Sequence, residues 1–230
     1  NVPGFKRLYN GAYFKQMEEK LKYMGYQWNW FILDASDYGV PQFRKRFVAI
    51  GSKFKRPKMP EIQFANTEDL FGLSQKVTFW DAISDLPQIG HGEKKGEFAY
   101  NASPRNAFQS LMRKNSSFIF NHTTQSHSDR VLNKISKVPV GGNMTHIVGK
   151  FEENKKHYEG GYRRARKEVP SYTAYWTRGM TSIHPDLDRF LSPRECARIQ
   201  SFPDSIVFQG TTIENYTQIC NAVPPLLSKA

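Results

Sequence analysis

The amino-acid sequence predicts an α/β fold, and three observations carry the prediction. A run with helical spacing, 12–24, leads into two strand-like runs, 28–32 and 47–50. A second helix, beginning at Ser192, announces both its start and its stop. The chain is 230 residues long, 39% hydrophobic and 14% aromatic, enough for one or two domains with a real core.

From Ala12 to Met24, Phe14, Met17, Leu21 and Met24 recur at helical spacing while Lys and Glu occupy the other face. Gly25 follows as the C-cap. Trp28, Trp30 and Ile32 then alternate as a strand, and Phe47–Ile50 forms a second one after a turn centred on Gly39-Val40-Pro41. A helix followed by two strands fits the last part of an α/β sheet. Between the strands, Arg44 and Arg46 stand two residues apart, so in extended chain they point the same way and can converge on one site. By themselves they fit solvated charges on an edge strand equally well.

Pro57 to Ser74, with two prolines and Gly72 among polar residues, reads as a connector. Val77 to Pro87 reads as a short helix ended by proline. Ser126–Val138 predicts another, with Val131, Leu132 and Ile135 inward and Ser126 or Ser128 as cap. Pro139-Val140-Gly141-Gly142-Asn143 ends it, either as a plain turn or as a loop that approaches a phosphate. Tyr162-Arg163-Arg164-Ala165-Arg166-Lys167 sets one ring beside four cations, a composition suited to phosphate and base-edge contact or to a solvated loop. In Ser192-Pro193-Arg194-Glu195, the serine caps, the proline takes the first helical position, and Glu195 completes a capping box. Phe202-Pro203-Asp204 stops that helix, and Asn221-Ala222-Val223-Pro224-Pro225 forms a turn into a last one.

The formal charge is +12, and residues 101–185 hold 14 Lys/Arg against 5 Asp/Glu, which is +9 of it. Such a segment is the footprint of a polyanionic partner, nucleic acid first, unless it is only a solvated basic face. Cys196 and Cys220 form no C-x-x-C pair and lie near no metal-like histidine spacing, which argues against zinc and against a disulfide framework. No apolar run nears membrane-spanning length and no signal peptide opens the chain, so no membrane role and a cytoplasmic location are expected.

Three of these segments, in this order, resemble the DNA (cytosine-5) methyltransferases. Asp37-Tyr38-Gly39-Val40-Pro41-Gln42-Phe43-Arg44-Lys45-Arg46 is similar to that family's eighth motif, Ser192–Asp204 to its ninth, and Gln218–Leu227 to its tenth, where Cys220 replaces a usual glycine. Asn1-Val2 resembles the tail of its Glu-Asn-Val motif. The resemblance implies the C-terminal part of a Rossmann-like methyltransferase domain plus a smaller, irregular, β-rich target-recognition domain. The implied divisions are 1–87 (catalytic), 88–183 (recognition) and 184–230 (returning to the catalytic domain). It implies further that Arg46 touches the O2 side of a flipped cytosine, with Arg44 in the same network and Gln42 near the DNA backbone. Gly142, Asn143, Tyr162, Arg163, Arg164 and Thr173 would contact DNA, and Arg194, Glu195 and Arg198 would brace one domain on the other. Asn221, Ala222 and Val223 would line part of an S-adenosylmethionine pocket, with no metal.

The family's chemistry needs a thiolate on cytosine C6, on a base flipped out of the duplex. Its nucleophile lies in a Pro-Cys pair, which this sequence lacks, as it lacks the glycine-rich first motif. The chain is therefore expected to act with double-stranded DNA, and with the missing N-terminal half, as part of a bacterial enzyme, and to be inactive alone. It would be an excised piece or the natural second subunit of a split enzyme. The alternative is a non-catalytic DNA-binding or regulatory module on a methyltransferase scaffold.

Overall fold

In the computed structural model, residues 3–66, 72–148, 162–173 and 182–230 are described. A 3-10 segment, Pro3–Gly11, leads into helix α1, Ala12–Tyr23, whose C-cap is Met24. Gly25 then takes φ 77°, a left-handed conformation that glycine adopts without steric cost. Strands β1 (Gln27–Asp34) and β2 (Lys45–Ser52) pair antiparallel from Gln27↔Ser52 to Asp34↔Lys45. Alternation gives this ribbon two faces. On one, Phe14 of α1 meets Trp28, Trp30 and Phe47, with ring centroids 5.7–6.0 Å apart. On the other, Leu33 packs with Ala35, Tyr38, Val40 and Leu227.

A minimal parallel pair, β3 (Phe64–Ala65) and β4 (Ser74–Gln75), sits within the predicted connector. Helix α2, Phe79–Ile83, starts with a capping box in which Thr78 and Asp81 satisfy each other's backbone N–H groups. Strands β5 (Gly96–Ala99) and β6 (Phe118–His122) pair antiparallel with a register shift between Gly96 and Phe98. Between them lies α3, Ala107–Arg113, capped by Asn106 accepting from Gln109 N–H at 2.9 Å. Then follow α4 (Asp129–Ser136), α5 (Thr145–Val148), α6 (Pro193–Ile199), α7 (Thr212–Asn221) and α8 (Pro225–Lys229).

Every residue of α6 is buried, and α6 packs against α2, β6 and α7 at the centre of the main core. That core takes Phe79 and Ile83 from before position 87, Phe108 and Ile119 from 88–183, and Ile199 and Ile219 from beyond. Among the described residues of 88–183, helices α3, α4 and α5 stand beside strands β5 and β6. No helix among the described residues is long and apolar enough to cross a membrane, and none of their His, Cys, Asp and Glu side chains forms a metal-holding group.

Candidate functional site

The eighth-motif loop is fixed from beneath. Asp34 Oδ1 accepts from Ser36 N–H and from Arg44 N–H at 3.1–3.2 Å, and Arg44 returns its carbonyl to Ala35 N–H. Gly39, at φ 79°, lies so close to the Phe64 ring that a Cβ there would stand 2.8 Å from it. Arg44 is buried and donates from Nη2 to the carbonyls of Cys220 and Ala222, at 2.6 and 3.2 Å, and from Nη1 to Gln42 Oε1 at 3.4 Å. Those carbonyls terminate α7, where a cation is favoured by the free C=O groups and the helix dipole. Gln200 Nε2 takes the neighbouring carbonyl of Ile219 at 2.6 Å. One guanidinium therefore ties the eighth motif to the tenth.

Arg46, half-buried at the start of β2 opposite Leu33, donates to the Lys45 carbonyl at 3.0 Å. Burial, and after it the Arg46 charge, push Arg44 down to about 10, so the two guanidinium groups do sense one another. Burial also lowers Arg46. Asn221 and Val223 are exposed beside this junction, and Val223 lines an apolar groove of ≈ 530 Å³ with Phe5, Leu33, Phe47 and Leu227. Both cysteines are buried, and burial pushes the Cys220 thiol up to about 11. Neither is suited to thiolate chemistry.

The ninth-motif helix holds its own ion network. Glu195 Oε2 accepts from Ser192 N–H at 2.7 Å while Ser192 Oγ accepts from Glu195 N–H at 3.1 Å, the expected capping box. Arg189 grips the same carboxylate with two bonds of 2.7 and 2.8 Å. Burial alone would raise the Glu195 pKa, but the Arg189 fork holds it far below the usual carboxylate range. Arg198 bridges Asp204, at 2.6 and 2.7 Å, and Asp85, at 3.1 and 3.2 Å. Burial opposes that charge, yet the two carboxylates raise its pKa further. Arg194 donates to the carbonyls of Phe120, Pro203 and Ile206, so it joins β6 to the loop after α6.

The basic run is less exposed than its composition predicts. Arg164 needs correcting as a DNA contact: it is 5% exposed and donates to the Val138, Ile135, His184 and Leu187 carbonyls and to Asp188. It caps the end of α4 and has no free fork for a phosphate. Tyr162 packs edge-on against Phe190, centroids 5.3 Å apart, instead of offering a face to a base. The ring that stacks is Tyr172, with the Arg163 guanidinium 4.1 Å above it. Gly142 and Asn143 are buried in the turn at the end of α4, where Asn143 Oδ1 accepts from Thr145 N–H and Oγ–H. Gly141 takes φ 75° in this turn. Gln42 is fully buried beside Arg44, not turned toward an outside backbone. Thr173 alone of the anticipated DNA contacts is exposed; its hydroxyl donates to the Phe43 carbonyl at 2.7 Å. Phe43 N–H donates to the Ser171 carbonyl and Ser171 N–H to that of Pro41, so this segment is zipped onto the eighth motif. Asn1, Val2 and Ala174 lie outside the described residues.

Sequence reasoning missed Asp85, Arg189 and His122, and treated Asp204 only as part of a helix stop. Their signal is weak: each is a single polar residue whose partner lies on another element. His122 Nε2 meets the Pro87 carbonyl and Nδ1 the Ser192 hydroxyl, both at 2.8 Å, clamping β6 to the start of α6.

The family model of C-5 cytosine-specific DNA methylases matches residues 1–230. The chain is 35% identical over 229 residues to the type II methyltransferase M.DdeI of Desulfomicrobium norvegicum, covering 92% of this chain and 55% of that one. It is 31% identical to DNA (cytosine-5)-methyltransferase 4 of Arabidopsis thaliana, across 100% of this chain and 18% of that one. It thus spans about half the length of the first relative and less of the second. The crystal structure of a protein described as a DNA modification methyltransferase of an E. coli prophage superposes with a TM-score of 0.69 over 95% of this chain and 62% of that one. At 22% identity that likeness establishes the α/β fold. Matched over its whole length by the family model, this chain belongs to the C-5 cytosine-specific DNA methylases.

Proposed function

We propose that the chain is the C-terminal part of a DNA (cytosine-5) methyltransferase, acting in a bacterial cytoplasm on a cytosine flipped from duplex DNA. The observation that supports this is the Arg44 bridge, which ties the segment carrying Arg46 to the carbonyls of Cys220 and Ala222. Arg46 offers a planar fork of donors on a rigid strand end, suited to a ring carbonyl and to a neighbouring carboxylate. Its partial burial strengthens such bonds, because water competes less.

S-adenosylmethionine, when bound, supplies the methyl group. The donor set fits part of its site: the exposed Asn221 amide can pair with a polar edge, and the groove lined by Val223 and Phe5 can take an apolar ring. The thiolate nucleophile must come from outside this sequence, since Cys196 and Cys220 are buried. In this reading the chain alone transfers no methyl group, and the N-terminal half, in the same chain or another, completes the site. A non-catalytic DNA-binding module on the same scaffold is the competing reading, and turnover separates the two.

In the complete enzyme, Arg46→Ala removes a charge-assisted hydrogen bond, about 1.5–3 kcal/mol, hence about one to two decades in turnover. Duplex binding should change much less, because the recognition segment engages first. Wild-type turnover in the variant would place Arg46 outside the reaction, and a complete protein without turnover would favour the non-catalytic module.

A further inference from the structure

The basic run 162–167 separates its four cations by environment. Arg164 is turned inward onto four carbonyls and Asp188. Lys167 is paired with Asp186 at 2.7 Å and lies 4.3 Å above the Trp80 ring. Arg163 is half-buried over Tyr172. Arg166 differs from all three. It is exposed, and among the described residues its guanidinium makes no hydrogen bond or ion pair.

Arg166 is nevertheless held in place. Its Nε edge lies against the backbone of Gly141, where a Cβ would meet Nε first and stand 2.9 Å from both Cζ and Nη2. The backbone there is itself fixed: Gly141 N–H donates to the Arg164 carbonyl at 3.1 Å and Arg164 N–H to that of Gly142 at 3.0 Å. Glycine at 141 therefore has two roles, the positive φ of the turn and the space, free of a Cβ, into which the Nε edge of Arg166 fits.

We propose that Arg166, laid on Gly141, is the member of this run that meets DNA. The inference rests on the reading of this chain as part of a DNA-acting enzyme. An exposed guanidinium held along its Nε edge, with its terminal Nη1/Nη2 end open, takes two adjacent acceptor atoms with little ordering cost. In DNA such pairs are offered by a backbone phosphate and by the O6/N7 edge of guanine. The shared chemistry is a bidentate anionic or carbonyl acceptor, and salt dependence distinguishes the two sources.

The test compares duplex binding by the full-length wild type, Arg166→Ala and Gly141→Ala across a salt series, on target and scrambled DNA. If Arg166 meets a phosphate, Arg166→Ala lowers the magnitude of the log–log salt slope by about 0.9 on both duplexes. If it meets a guanine edge, the slope holds, and preference for the target falls by roughly 5- to 150-fold. Gly141→Ala, which must push the guanidinium aside, should reproduce whichever change Arg166→Ala shows, and Arg166→Lys should recover the slope but not the preference. Arg166→Ala with unchanged slope and unchanged preference overturns the assignment. A folded Gly141→Ala protein that behaves as wild type overturns the role of the platform. Wild-type protein that binds neither duplex would instead defeat the underlying reading of the chain as DNA-acting.

Discussion

Helices α6 and α1 are both amphipathic in sequence, yet all seven residues of α6 are buried and none of the twelve in α1 is. Helix α6 takes three charged side chains inside and answers each with a fork, a carboxylate or a row of carbonyls. Helix α1 leaves its charges in water and half-covers Phe14, Met17 and Leu21 against a two-stranded ribbon. Around it, Tyr9, Tyr13, Tyr23 and Met24 stay exposed, as do Ile32 and Ile50 on the ribbon. Apolar exposure on that scale marks a surface made to be covered. The contrast assigns the tightest packing to the ninth-motif region and leaves apolar side chains exposed at the N-terminal edge.

The largest way to break that contrast is to remove Arg198. Arg198→Ala strands the carboxylates of Asp85 and Asp204, both fully buried, without their main cation. Breaking one side of such a pair costs about 3–5 kcal/mol, against a typical total stability of about 5–15 kcal/mol. Urea denaturation should show a large fall in midpoint. Arg198→Met with Asp85→Asn should recover part of it, because the buried charge is removed along with its partner. A loss under about 1 kcal/mol for Arg198→Ala would mean that water reaches the network and that α6 is less dry than its burial implies.

How much of this was legible in the sequence depends on the range of the signal. The Ser192–Glu195 cap was, because the residues that decide it lie within one turn, and α1 was, because Phe14, Met17 and Leu21 recur at helical spacing. The ribbon was legible from alternating Trp28, Trp30 and Ile32, since one face must be apolar. The fate of the basic run was not. Arg163, Arg164 and Arg166 are the same residue type within four positions, and only the carbonyls of α4 and of His184, far off in sequence, turn Arg164 inward. Within 88–183, α4 was legible from Val131, Leu132 and Ile135, but α3 escaped: it has seven residues, too few for periodicity, and its cap Asn106 reads alone as a turn residue.

A middle-sized test acts on the α6 neighbourhood through pH. Burial, ahead of the neighbouring charges, pushes His184 down to about 4, and burial lowers His122 as well. An unfolded histidine takes its proton near 6.5. Below that pH the unfolded chain binds protons that the folded rings refuse. The stability contribution is therefore complete above about 6.5 and is lost as pH falls toward the folded values, with a slope near 1.4 kcal/mol per pH unit for each ring. Glu195, also held low, adds loss in the same direction at still lower pH. Urea midpoints at pH 7.5, 6 and 5 should fall in order, and His184→Gln should flatten part of the fall. Constant midpoints over that range would mean that both rings accept protons in place, with Ser192 and Pro87 rearranging around His122.

The smallest effect should come from α1. Tyr23, its last residue, is 93% exposed, so Tyr23→Ser removes almost no buried apolar area. Within this chain the change should lie inside about ±0.5 kcal/mol, the range of surface substitutions away from special features. Ile199→Ala, in α6, should by contrast cost about 2–5 kcal/mol, because Ile199 is fully buried in the main core. The informative step repeats Tyr23→Ser where the rest of the enzyme is present. If the N-terminal half covers α1, the same substitution then removes buried area and should cost about 1–2 kcal/mol, at roughly 25 cal/mol for each Å² of apolar surface lost. Equal and negligible effects in both settings would leave Tyr23 in water in the complete enzyme. The covered part of this edge would then be the ribbon, where Ile32 and Ile50 stand exposed on opposite faces, not the end of α1.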